Sequence, residues 1–298
     1  MKSLSLAVLF VCLITTHISA QPFNHEIASE GNAPVLLGKI NKVGLSAVPY
    51  SDWFLKNYDA YQPNTAVVNQ FKDDLTTYTI TAFMGTWCGD SKREVPHFYK
   101  ILDAANFPLD RLTLVAVSRE RDAYKQSPGG EEEGLTIHRV PTFIFYKDGR
   151  EVNRIVESPV ETLEADLAAI INGDYTPNYH AVTLVSELLG EVPLEKFDKK
   201  AKKLLPKLKK LTAKASELNT YSNVLFFSGN KAAGIAVARL NTRLFPEEVT
   251  TYISLANKLY QVEKPSEAIK YYEKALVLDP ENQQIKEKIS SLKLVVVN

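Results

Sequence analysis

The strongest restriction on the fold is a change of pattern along the chain. Up to about residue 172, short β-rich runs alternate with helical spacings; beyond residue 180 the chain reads almost wholly as helices. Mixed strands and helices followed by helices alone call for an α/β domain joined to an all-α domain. The stretch between them, GDYTPNYH from Gly173 to His180, is rich in turn formers and marks the boundary. The chain has 298 residues, more than one ordinary domain, and 45% apolar composition suffices for two cores. The expected layout is a first domain over 21–172 carrying an N-terminal helical extension, a linker over 173–180, and a helical domain over 181–298.

In the first domain, TITAF (Thr79 to Phe83) leads through the loop GTWC into SKREVPHFYKILDAA, whose Val95, Phe98, Ile101 and Leu102 have helical spacing. Two more β-rich runs follow, Leu112 to Val117 and Thr142 to Tyr146. The turn Lys147-Asp148-Gly149 then predicts a tight hairpin into EVNRIV. An amphipathic helix over Val160 to Ile171 stops near Gly173. Ahead of the first strand, SDWFLKNYDAY and PNTAVVNQFKDDL predict two helices, the former with Ser51 as its N-cap.

The chain opens with Lys2, the apolar run Leu4 to Ile14 and then Ile18-Ser19-Ala20, the order of a secretory signal peptide cut after Ala20. Residues 1–20 would then be absent from the exported protein, Cys12 among them, and no transmembrane segment would remain. The whole chain balances 35 basic against 35 acidic side chains. Loss of Lys2 shifts that balance by a single charge, so nothing in it points to nucleic acid. Localisation outside the cytoplasmic membrane, in the periplasm, is expected. Of the two cysteines, Cys88 alone would persist, so no internal disulfide is available although the compartment permits one.

Cys88 falls where a strand ends and a helix begins, so unpaired N–H groups and the positive end of the helix dipole face its sulfur. That setting favours the thiolate, the form that attacks disulfides. A free cysteine can also be a small buried hydrophobe, but the polar turn TWCGDSKRE argues against simple core filling. Asp90 opposes the thiolate, with Lys92 and Arg93 at hand to offset it.

With WCGDS, Pro96 in the following helix, and RVPTFIFYKDGREV farther on, the region from about 35 to 172 resembles the thioredoxin family, in the manner of extracytoplasmic bacterial thioredoxin-like proteins. The resemblance implies a thioredoxin fold. It makes Pro141 the cis proline, Val140 the residue whose backbone pairs with a substrate strand, and Trp87 a neighbour of the site. Two departures affect the activity: Ser91 stands at the position of the resolving cysteine, and Ala82 at that of the buried acid used in the second step. The catalytic residues expected are therefore Cys88 as sole nucleophile and Ser91 as a hydrogen-bonding partner of its thiolate. Release of a mixed disulfide falls to an outside thiol.

The helical domain carries a second resemblance. Thr251 to Asn282 is similar to a tetratricopeptide repeat, with Tyr252, Leu255, Ala268, Tyr272, Ala275 and Pro280 at the motif positions. Stepping back 34 residues gives Leu218, Tyr221, Gly234, Ala238 and Pro246. Repeats are thus expected over about 215–248 and 249–282. Between Lys196 and Lys214, leucines 204, 205, 208 and 211 line a basic amphipathic helix, which suits either anionic lipid or a solvated helix facing the core.

Glu131 to Glu133 read as a flexible loop insertion. No zinc-type spacing or phosphate loop appears, His97 and His138 read as structural, and no cofactor is expected. The leading function is that of a monothiol thiol-disulfide oxidoreductase acting on protein or small-molecule disulfides. The alternative is a redox-inactive or tethering module in which groove and repeats hold a protein partner. A third reading compares CGDS with the cluster-binding CGFS site of monothiol glutaredoxins; the leader, Trp87 and Asp90 all disagree with it.

Overall fold

The computed structural model describes residues 23–29 and 32–297; the segment expected to be a signal peptide, with Cys12, lies outside them. Strands β1 (His25–Ser29) and β2 (Asn32–Ile40) form a hairpin. They are followed by the short α1 (Lys42–Leu45), then α2 (Ser51–Ala60), α3 (Thr65–Leu75), β3 (Thr79–Met84), α4 (Gly89–Ala104), β4 (Leu112–Ala116), β5 (Thr142–Lys147), β6 (Arg150–Val156) and α5 (Leu163–Asn172). One six-stranded sheet results, in the order β1-β2-β4-β3-β5-β6. Strands β3 and β4 run parallel, and every other pairing is antiparallel.

Side-chain alternation sends β3 to two cores. Ile80, Ala82 and Met84 join Phe143 and Phe145 of β5 beneath helices α2 to α5, against Phe54, Phe71, Phe98 and Leu167. Phe83 faces the other way with Val115, Ile144, Ile137 and Val140. That second face is covered by the long connection between β4 and β5 rather than by a helix. The hairpin β5–β6 turns at Asp148 and Gly149, both at positive φ (52° and 74°), as a two-residue turn of primed type requires. Thr162 caps α5 by accepting the Ala165 N–H, and Gly173 ends it in the left-handed conformation.

Three expectations need correction. The hairpin β1–β2 was not anticipated: β1 is largely exposed and β2 contains Pro34 and Gly38, so neither shows a strand pattern. Ser51 is the first residue of α2 rather than its cap, Tyr50 occupying that place without a side-chain bond. Glu131 and Glu132 are held rather than loose: both carboxylates lie against the Ser127 hydroxyl, Glu132 also accepts the Ser127 N–H at 3.0 Å, and the Glu131 N–H donates to Ser127 Oγ at 3.1 Å.

The second half consists of α6 (His180–Glu191), α7 (Leu194–Leu211), α8 (Ser216–Phe227), α9 (Lys231–Leu244), α10 (Val249–Gln261), α11 (Pro265–Leu278) and α12 (Gln283–Val297). The lysine-rich α7 turns Phe197, Ala201, Leu204, Leu205 and Leu208 into a core with α6, α8 and α9, leaving Leu211 exposed. Its apolar face is thus used within the fold, and among the described residues no helix is long and apolar enough to cross a membrane. The pairs α8–α9 and α10–α11 repeat one packing. Gly234 lies where α9 crosses α8, and a β-carbon there would come within 2.8 Å of the Ser222 carbonyl oxygen. Ala268 fills the matching place 34 residues on, fully buried.

The halves meet along the end of the β4–β5 connection. Buried His138 lies edge-on to Tyr179 and Tyr221. Arg139 pairs with Glu157 at 3.0 Å, covers the Tyr179 ring and donates to the Ser216 carbonyl. Thr136 meets Ser186 hydroxyl to hydroxyl at 2.9 Å, and Gln126 donates to the Phe227 carbonyl at 2.9 Å.

Two outcomes are expected. Gly234→Ala should destabilise the protein by about 1–3 kcal/mol through overpacking against backbone. Gly190→Ala, in the last turn of α6 with open space around it, should stabilise it by about 0.5 kcal/mol; denaturant unfolding of both variants checks the contrast. His138 is the second case. Burial, assisted by Arg139, Lys125 and Arg154, pushes its imidazole down from 6.5 to about 3. Below pH 6.5 the unfolded chain takes up a proton that the folded protein refuses. Stability should therefore fall as the pH drops from 6.5 towards 3, by up to about 1.4 kcal/mol per pH unit. A less steep loss in His138→Gln, measured by urea melts across that range, is the expected result.

Candidate functional site

The turn between β3 and α4 is fixed from four sides. The Cys88 N–H donates to the Gly85 carbonyl at 2.9 Å, and the Gly85 N–H donates to Ser91 Oγ at 3.2 Å. Thr86 Oγ1 accepts the Leu36 N–H, tying the turn to β2. The Trp87 indole donates to the Val117 carbonyl at 2.9 Å and folds back over residue 85. A β-carbon at Gly85 would sit 2.5 Å from that ring, so glycine is required by close approach.

Cys88 is the N-cap of α4, in extended backbone with no side-chain cap bond, and is partly exposed. Its thiol instead donates to the Val140 carbonyl at 3.3 Å. The Val140–Pro141 peptide is cis, and its far side is held by Glu157, whose N–H donates to the Pro141 carbonyl at 2.7 Å. Cys88, Trp87, Val140 and Pro141 therefore converge. Ser91 reaches the site differently from expectation. It is fully buried, its hydroxyl oxygen is engaged by the Gly85 N–H, and among the described hydrogen bonds it makes none to Cys88. Its observed role is to brace the turn. The Val140 carbonyl, expected to face a bound strand, is here occupied by the thiol.

Of the two cations expected to offset Asp90, Arg93 does so. Arg93 spans Asp90 (2.9 Å) and Glu94 (2.7 Å), so the cation that offsets Asp90 is identified. Lys92 lies near the Trp53 ring. A further ammonium near the turn comes from 37 residues beyond Cys88. Lys125, almost wholly buried in left-handed backbone, places Nζ 5.2 Å from the centre of the Trp87 ring. Burial pulls Lys125 down to about 8, against the opposing influence of the Cys88 charge. Its polar neighbourhood SRERDAYKQS shows no periodicity that would have flagged it.

A buried acid is present as well, though not where the family pattern puts one. Ala82 is packed in the core, whereas Glu94, one turn along α4 from Ser91, is buried. Desolvation raises its carboxyl above the ordinary range, with Arg93 opposing. His97 beside it stacks on Tyr61 with ring centres 4.1 Å apart, and is pushed down by burial and by Arg93. Among the described residues no group of three or more histidine, cysteine or acidic side chains is arranged to hold a metal.

Comparison with known proteins finds relatives of the sheet-bearing half and of one pair of helices. Over 83 residues the chain is 34% identical to a thioredoxin of Malassezia sympodialis, covering 28% of this chain and 71% of that protein. It is 29% identical over 84 residues to a thioredoxin of Aspergillus fumigatus, covering 28% of this chain and 69% of the relative. It is 23% identical over 147 residues to Thioredoxin-2 of Pyricularia oryzae, covering 46% and 80% respectively. A tetratricopeptide repeat model matches residues 249–282, the pair α10–α11 with the turn that follows it. The chain belongs to the thioredoxin family through its sheet-bearing half, with a tetratricopeptide repeat in the helices that follow.

Proposed function

We propose that the protein is an exported monothiol thiol-disulfide oxidoreductase, working in the periplasm through Cys88. The observation that carries this reading is the meeting of the Cys88 thiol, at the head of α4, with the carbonyl that precedes cis Pro141. In the first step the Cys88 thiolate attacks one sulfur of a disulfide, forming a mixed disulfide and expelling the other sulfur as thiolate. In the second an outside thiolate attacks that mixed disulfide, regenerating Cys88 and carrying the substrate away on a new disulfide. Electrons balance over the two steps, and the protein finishes in its starting state. Among the described residues Cys88 is the one cysteine, and Ser91 cannot attack sulfur. Lys125 brings an ammonium near the turn, and Trp87 together with Val140 and Pro141 forms the wall against which a substrate lies. Attack requires the thiol to leave the Val140 carbonyl, which frees that carbonyl to accept from a substrate strand. The leader over residues 1–20 supports export.

The rival reading, a tethering module, draws on the repeat match and on the close docking of the helices against residues 136–139. Adduct lifetime separates the two. Wild type should form a mixed disulfide with a model peptide disulfide that persists until free thiol is added. Ser91→Cys should release it unaided, through an internal disulfide. Adding Glu94→Gln should slow that release, because residue 94 is the buried carboxyl one turn from position 91. Mass spectrometry of quenched samples reads all three lifetimes. Unaided release by wild type at the Ser91→Cys rate would overturn the monothiol cycle, and absence of any adduct would leave the redox-inactive binding module in its place.

A further inference from the structure

Three successive carbonyls lie in the segment entering β5, and two of them are committed within the fold. The Arg139 carbonyl accepts from the Thr142 hydroxyl at 2.8 Å, and the Pro141 carbonyl accepts from the Glu157 N–H at 2.7 Å. Among the described hydrogen bonds, the Val140 carbonyl between them is engaged by the Cys88 thiol alone. Once the thiol turns to a substrate sulfur, this oxygen is an acceptor in need of a donor.

Glu157 holds that segment on both sides of Val140. Its N–H takes the Pro141 carbonyl, while its carboxylate accepts from the Arg139 guanidinium at 3.0 Å. The second carboxylate oxygen accepts from the Tyr179 hydroxyl. Tyr179 is the N-cap residue of α6, and its ring packs on the core that α6 shares with α7, α8 and α9. The clamp is thus closed from the helical half.

It is also held against local preference. Glu157 and Tyr179 both have left-handed backbone, with φ of 66° and 62°, a conformation that disfavours any residue with a β-carbon. Arg139 keeps its Nε buried without a partner, and an unmet buried donor is destabilising too. Local costs of this kind persist where the surroundings over-determine a geometry, and they gather where position serves function. What Glu157 fixes, through the residues on either side, is the Val140 carbonyl.

We propose that Glu157 and Tyr179 are positioning residues for polypeptide substrates: they fix the Val140 carbonyl to accept a backbone N–H of an incoming strand, and so set, from the helical half, a preference for polypeptide disulfides over small ones. The proposal deepens the exchange reading above and rests on it. A disulfide with no peptide backbone has no such N–H to offer and does not sense the clamp.

The probes are an uncharged octapeptide with a central cysteine and mercaptoethanol, each as its pyridyl disulfide, so that the leaving group is the same. Attack by Cys88 forms the mixed disulfide and expels pyridinethiolate, whose absorbance gives the rate. Wild type should react about tenfold faster with the peptide, the worth of one well-placed hydrogen bond. N-methylation of the residue before the cysteine, of the cysteine or of the residue after it, tried in turn, should remove that advantage at one of the three positions.

Tyr179→Phe, which deletes a single oxygen, and Glu157→Ala should each bring the ratio of the two rates towards one, chiefly through the peptide rate. Glu157→Gln, whose amide oxygen can still accept from one of the two partners, should keep an intermediate ratio. A merely structural role would lower both rates together and leave their ratio alone. Equal rates for the two probes in wild type, a preference indifferent to N-methylation, or an unchanged ratio in either Tyr179→Phe or Glu157→Ala would overturn the positioning role while leaving exchange at Cys88 intact. No adduct with either probe, in protein whose Cys88 still takes up iodoacetamide, would instead sink the exchange reading and the positioning role with it.

Discussion

The contact on which the arrangement turns is the hydrogen bond from the Cys88 thiol to the Val140 carbonyl. It joins two segments 52 residues apart, the head of α4 and the strand entry at cis Pro141. Each is held from behind by other parts of the chain. The turn before α4 is braced by Ser91, Leu36 and Val117. The segment before Pro141 is gripped by the helical half through His138 and Arg139, residues that precede Val140 directly. A thioredoxin-type surface and a helical array thus share one short length of backbone as common ground.

That sharing explains why a buried histidine with an unpartnered ring nitrogen persists there. His138 Nδ1 meets the Thr136 carbonyl while its ring fills the space between two tyrosines, so packing at the junction outweighs the missing bond. Likewise Arg139 serves both halves at once, its guanidinium spanning Glu157, Tyr179 and Ser216.

How far the sequence revealed this depended on whether the controlling contacts were local. Strand β3, helix α4 and the Asp148-Gly149 hairpin each have their own periodicity or turn chemistry, and each could be read directly. The repeat over 249–282 could also be read directly, and the unit 34 residues earlier, with Gly234 at the position of Ala268, more faintly. The hairpin β1–β2 was hidden because its strands are exposed on one side and interrupted by Pro34 and Gly38. At the site, Cys88 and Pro141 were visible as motifs, whereas the direction of the Ser91 hydroxyl was not, since it depends on the curl of the turn back to Gly85. Lys125 and Glu94 owe their importance to burial by distant segments.

Among the described residues the sheet ends in two strands, β1 and β6, each with one side unpaired. An unpaired strand is a template on which another chain can add, and growth from it leads to aggregation. Both ends are defended. In β1 the register breaks between Ile27 and Ser29, a bulge that spoils the row of donors and acceptors. In β6 the charges Arg150, Glu151 and Arg154 crowd the strand, Arg154 folding its guanidinium onto Glu151 and the Leu135 carbonyl. Recruitment of an extended polypeptide along the sheet margins is thereby disfavoured.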